Sequence, residues 1–163
     1  MQTFLPYPDF AESAARLDSR RLGKQRAENI QVLRALVVPG YGWRRHPAAA
    51  MWAGYEEALV RYGLTICEAW LLRGHADTTA ATLLVELERT TGLIGARDQP
   101  VLAAEDELPP WLGDRDFHLS HQSALVRKDP EFYRPLFGDV PDDLPYVWPP
   151  SDRERRVPID AGA

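Results

Sequence analysis

Two stretches of this chain space their apolar residues by three and four. From Ser19 to Val37, Leu22, Ile30, Leu33, Leu36 and Val37 supply one helical face. From His46 to Arg73, Met51, Trp52, Tyr55, Leu59, Tyr62, Ile66, Trp70 and Leu71 do the same over a longer run. Such faces must be buried against something, and no stretch alternates as a half-buried strand does. The partners are therefore other helices. The expected class is all-α, a compact single-domain helical bundle with an extended N-terminal arm and an irregular C-terminal tail.

Local signals set the boundaries. Met1 to Pro8 reads as a Pro-punctuated arm, and Asp9 with Glu12 as a capping pair for a short helix bearing Phe10, Ala14 and Leu17. Asp18 caps the second helix. Pro47 suits the first position of the long helix, Gly74 closes it, and Gly63 is where it would kink. Asp77 or Thr78 starts a further helix through Thr91. Residues 92–116 read as loop, with the acidic run Glu105, Asp106, Glu107 taken as a solvated part of it. His118 to Lys128 and Pro130 to Phe137 read as two more helices. Beyond Gly138 periodicity is lost, although "PYVWPP" is expected to pack its aromatics on the body. The domain is expected to span 1–150, with 151–163 a mobile tail.

The chain has 163 residues, 45% of them apolar, enough for one domain with a real core. The single cysteine, Cys67, rules out an internal disulfide and a thiolate zinc site, and its apolar setting reads as core. No apolar run is long enough to span a membrane, and the start "MQTFLPYPDF" has neither basic leader nor signal core, so a cytoplasmic location is expected. A net charge of −5 argues against a broadly basic nucleic-acid coat. The charge is uneven, however. Arg16 to His46 carries +6 and the remainder −11, which points to one local anion site.

On a helix, Arg20, Arg21, Lys24, Gln25 and Glu28 share a face, with Arg26 on a neighbouring one. One reading is a solvated lattice of exposed ion pairs, worth about 0–1 kcal/mol each. The other adds "GWRRHP", where Trp43, Arg44, Arg45 and His46 precede a helix start. Cations interleaved with an indole suit phosphates and a stacked base.

The arm, the helix "RLGKQRAE", the long "HPAAAMWAGYEEALVRYGLTICEAWLLRGHADT" and the late "SHQSALVRKDPEFYRPLFG" resemble the pyrimidine-dimer DNA glycosylase (phage endonuclease V-like) family over roughly Met1 to Gly138. The resemblance implies an all-α DNA-repair glycosylase and abasic-site lyase that uses no metal or organic cofactor. In that family a free N-terminal amine attacks the sugar C1′, an imine forms, the base leaves, and β-elimination nicks the strand. A glutamate on the first long helix assists, and arginines hold phosphates.

Carried to this chain, the glutamate is Glu28, within Arg26-Ala27-Glu28, where the family has Arg-Glu in succession. The family removes its methionine to expose a threonine. Here the bulk of Gln2 should keep Met1 in place, making Met1 the amine donor, with Lys24 as a substitute nucleophile. An α-amine ionises near about 8, a lysine near about 10.4, so the former is more readily neutral. The implied phosphate and pocket contacts are Arg20, Arg21, Gln25, Arg26, Trp43, Arg44, Arg45, His46, His121 and Lys128. Lys128 and Tyr133 fall in the segment resembling the family's lesion-contacting end.

His118 and His121, three apart, could with His46 form a metal site, but nothing in the sequence brings His46 to them, and no metal is expected. His121 reads first as a hydrogen-bonding or capping residue, then as a phosphate or acid group. Damaged or modified DNA is the expected partner. Two other readings stay open: a non-catalytic nucleic-acid or nucleotide-binding module of the same fold, and a helical module whose basic face docks an acidic protein. Oligomeric state is not legible.

Overall fold

The computed structural model describes residues 1–158 and, among them, contains eight helices and no strand. These are α1 (Phe10–Arg16), α2 (Ser19–Val37), α3 (Pro47–Ala50), α4 (Glu56–Leu72), α5 (Thr79–Thr91), α6 (Gln99–Ala104), α7 (Arg115–Lys128) and α8 (Pro130–Phe137). The all-α class is as expected.

The caps work as the sequence suggests. Asp9 accepts from the Glu12 N–H, and Asp18 accepts from the Arg21 N–H. Each satisfies a donor that the first turn leaves without a partner. α5 ends at Gly92 in the left-handed region.

Two elements differ from expectation. The long helix is broken into α3 and α4 by a turn through Gly54, whose φ is +76°. Glycine is required there, because a Cβ would come within 2.5 Å of Arg153 Cβ. Gly63, the expected kink, lies in mid-α4 without a break and lets α5 approach: a Cβ there would stand 2.7 Å from Leu83 Cδ1. The expected loop 92–116 contains α6, a helix too short to announce itself by period.

α2 and α4 pack against each other and, with α1 and α5, enclose the main core. Trp52, Tyr62, Phe10, Phe117 and Tyr133 are fully buried in it. α7 and α8 pair beside this group. No described helix is long and apolar enough to cross a membrane.

The C-terminal segment returns over the body. Ser151 donates to the Ala53 carbonyl, Arg155 to the carbonyls of Ala35 and Arg44, and Arg156 pairs with Glu56. Of the tail expected to be mobile, 151–158 makes these contacts and 159–163 lies outside the described residues.

Candidate active site

The first residues have no ladder or helix to satisfy their backbone, so side chains do it. Gln25, fully buried on α2, accepts the Phe4 N–H at 2.9 Å and donates to the Gln2 carbonyl at 2.6 Å. Tyr62 on α4 donates to the Phe4 carbonyl at 2.6 Å, and the Trp52 indole donates to the Thr3 hydroxyl at 3.0 Å. His118 and His121 on α7 hold Leu5 between them. His121 Nδ1 accepts the Leu5 N–H at 2.9 Å, and His118 Nδ1 lies 2.8 Å from the Leu5 carbonyl. His118 Nε2 accepts from Gly113 N–H, so the His118 proton sits on Nδ1 and is donated to Leu5.

This clamping brings the Met1 α-amine to 3.8 Å from Glu28 Oε1. Lys24 Nζ reaches the same oxygen at 3.5 Å, from one helical turn earlier. Arg20, Arg21, Lys24 and Glu28 line one cavity of about 580 Å³ with Met1, Gln2, Phe4, His46, Lys128, Tyr146 and Trp148. It lies between the chain start, the first half of α2, the end of α7 and the segment after α8.

Arg21 is anchored. It donates to Asp18 at 2.8 Å, lies 3.8 Å from Asp129, and sits 5.6 Å from the centre of the Tyr133 ring. Burial pushes the Asp18 carboxyl up, but hydrogen bonds from Tyr133 and Arg21 outweigh it and hold the group below its usual range. Tyr133, buried, donates its hydroxyl to Asp18 and so supports the cavity from behind. His46 accepts the Ala48 N–H at the start of α3. Burial and the positive chain start lower its pKa, against the opposing pull of Glu28, so it is neutral at physiological pH. Its ring meets Trp43 at 5.8 Å and Trp148 at 5.9 Å, and Trp148 meets Tyr146 at 5.3 Å. One side of the cavity is thus an aromatic wall.

Of the residues singled out from sequence, Met1, Arg20, Arg21, Lys24, Glu28, His46 and Lys128 meet at the cavity. Trp43 stands beside it, half-exposed against His46. The others lie elsewhere. Gln25 faces the arm. Arg26 turns to α5, bonding Asp77 at 2.6 Å over the Trp70 ring. Arg44 is buried and donates to the carbonyls of Val38, Val157 and Pro158. Arg45 does not line the cavity. His121 is buried behind the arm, and burial lowers its pKa to about 3. Sequence reasoning missed Gln2, Phe4, Tyr146 and Trp148 as lining residues. The apolar run "PYVWPP" was the signal for the last two. Among the described residues, no group of three His, Cys, Asp or Glu is arranged to hold a metal ion.

A family model described as pyrimidine dimer DNA glycosylase matches residues 1–83, half of the chain. The chain belongs to that family. No curated protein and no solved structure matches it. The stretch matched to the pyrimidine dimer DNA glycosylases carries the arm, α2 with Lys24 and Glu28, and α4 with Tyr62. Lys128, Tyr146 and Trp148 complete the cavity from outside it.

Proposed function

We propose that this protein is a DNA glycosylase and abasic-site lyase acting on damaged or modified nucleotides through an imine on the Met1 amine. The observation that carries the reading is the Met1 amine at 3.8 Å from Glu28 within a cation-lined cavity. The neutral amine attacks C1′ of the damaged nucleotide. The C1′–N bond to the base breaks, the base leaves with a proton, and the sugar ring opens as the imine forms. Loss of a C2′ proton then expels the 3′ phosphate, and water releases the sugar fragment. Glu28 is the nearest carboxylate to take the proton from the attacking amine and return it to the ring oxygen. Arg20, Arg21 and Lys128 hold the flanking phosphates. Lys24, sharing the Glu28 oxygen, is the second amine within reach.

Borohydride trapping tests the reading. An oligonucleotide carrying an abasic site is incubated with the protein and reductant, and the adduct is mapped by peptide mass. Attachment at the Met1 α-nitrogen is expected. Attachment at Lys24 Nζ would reassign the nucleophile. No adduct, with intact Met1 verified by mass, would reject the lyase mechanism and leave a binding module.

A further inference from the structure

Among the described residues, four buried side-chain atoms have no hydrogen-bond partner: Gln2 Nε2, Asn29 Oδ1, Arg44 Nε and His121 Nε2. Folded proteins leave few such groups, because a buried donor without an acceptor is costly. Of the four residues, Gln2 is the one that lines the cavity holding the Met1 amine. It is 5% exposed.

The Gln2 amide is fixed in place. Its Oε1 accepts the Thr3 N–H at 2.8 Å, so Nε2 is the end left over, with both of its hydrogens unused. The Gln2 carbonyl is held by Gln25 at 2.6 Å. The Tyr146 hydroxyl stands near. Burial raises the Tyr146 pKa, and the Gln2 amide is among the groups that draw it back. Even so, Nε2 makes no hydrogen bond to it. The donor is therefore held ready at the cavity without an acceptor of the protein's own.

Gln2 directly follows Met1. The donor thus belongs to the residue next to the nitrogen that attacks C1′ in the proposed mechanism. A pyrimidine carries a carbonyl oxygen, O2, on the carbon beside its glycosidic nitrogen N1. When the C1′–N1 bond breaks, its electron pair passes into the departing ring and is shared between N1 and O2. A proton from solvent then neutralises the base. A donor aimed at O2 before the bond breaks stabilises that charge with little reorganisation.

We propose that Gln2 is a catalytic residue for base departure, its free amide N–H donating to O2 of the leaving pyrimidine. The proposal rests on the imine reading given above and adds a role that Met1 and Glu28 do not fill. Gln2 transfers no proton; it only donates a hydrogen bond.

The test compares two duplexes, one with a single thymine cyclobutane dimer and one with an abasic site in the same sequence. Borohydride adduct formation is followed in single turnover with saturating full-length protein. On the dimer an imine forms only after the base has left C1′. On the abasic site there is no base to expel. Gln2→Met keeps the length of the side chain and removes the donor, and intact Met1 is verified by mass. It should slow trapping on the dimer about 100-fold, the scale of losing one preorganised donor. Trapping on the abasic duplex should stay within about threefold. Gln2→Leu, a different shape equally without a donor, should give the same split.

Equal slowing on both duplexes would mean that Gln2 only shapes the arm, and it overturns the proposal. Unchanged trapping on the dimer overturns it too. So does Tyr146→Phe reproducing the split, since the donor would then serve Tyr146. Wild-type trapping on the abasic duplex with none on the dimer removes the leaving pyrimidine and sinks this proposal alone. No adduct on either duplex sinks the imine mechanism, and this role with it.

Discussion

The Met1 α-amine and Lys24 Nζ approach the same oxygen of Glu28, at 3.8 and 3.5 Å. One carboxylate oxygen therefore serves two amines. If the site works as proposed, it can take a proton from whichever amine attacks.

Glu28→Gln keeps the shape and removes the base. General acid–base groups contribute about 10²–10⁴ in rate, so single-turnover trapping on an abasic strand should slow by at least about 100-fold. Binding of a strand carrying a tetrahydrofuran site, an abasic analogue with no aldehyde to form an imine, should stay within about threefold, since Glu28 holds no phosphate in the proposed mechanism. Equal loss of binding and trapping would mean that Glu28 only maintains the pocket.

Gln25 holds the arm that carries the Met1 amine, through the Phe4 N–H and the Gln2 carbonyl, so in the proposed mechanism it positions that amine. Gln25→Leu leaves the Phe4 N–H and the Gln2 carbonyl without their side-chain partner in a buried place. Each unsatisfied group costs about 1–3 kcal/mol, so urea unfolding should report a loss of about 2–4 kcal/mol. The variant that separates position from stability is Gln25→Glu, studied below its own unfolding transition. It keeps the acceptor for Phe4 and loses the donor to Gln2. Trapping should slow while affinity for the tetrahydrofuran strand holds; unchanged trapping would deny Gln25 a positioning role.

Much of the architecture was legible because it is local. Asp18 caps α2 through the Arg21 N–H, and the apolar spacing carries that helix to Val37. The break at Gly54 was not legible in the apolar period, which runs straight through it, and the neighbour that leaves no room for a side chain there, Arg153, comes about a hundred residues later. The site divides in the same way. The place of Arg20, Arg21, Lys24 and Glu28 in a site comes from the family resemblance, while their sharing one face follows from helical spacing alone. The roles of His118 and His121 do not, since they depend on Leu5 arriving from the far end of the chain. Arg44 looks like a phosphate ligand beside Trp43, yet it is buried among carbonyls of the returning tail.

The two histidines make the fold sensitive to acid. Burial holds both below the ordinary value of 6.5, and His121 as far down as about 3. Between these values the unfolded chain binds more protons than the folded one, so stability is full above 6.5 and is withdrawn as pH falls. Each unit of difference is worth about 1.4 kcal/mol, and His121 should dominate. Asp18, also held low, loses stability in the same direction as the pH falls through its own range. Urea midpoints should therefore drop steeply from about pH 7 to about pH 5, where ordinary carboxylates are still ionised. His121→Asn offers Leu5 an acceptor that does not titrate there, and it should flatten the drop. An unchanged profile in that variant would remove His121 as the cause.

Gly63 sets how closely α4 and α5 approach. Two effects oppose each other in Gly63→Ala. Helix propensity favours alanine by about 1 kcal/mol. The added methyl, however, would stand 2.7 Å from Leu83 Cδ1 and 3.3 Å from Asn29 Cγ. Leu83 and Asn29 are both fully buried, so neither can swing into solvent. Overpacking of that kind costs about 1–3 kcal/mol, and the clash should win by about 1 kcal/mol. Leu83→Ala opens the space, and in that background the propensity gain should emerge, making Gly63→Ala neutral or stabilising. A double-mutant cycle by urea unfolding measures the coupling. Additive effects would show that α4 and α5 relax apart and that this contact does not fix their spacing.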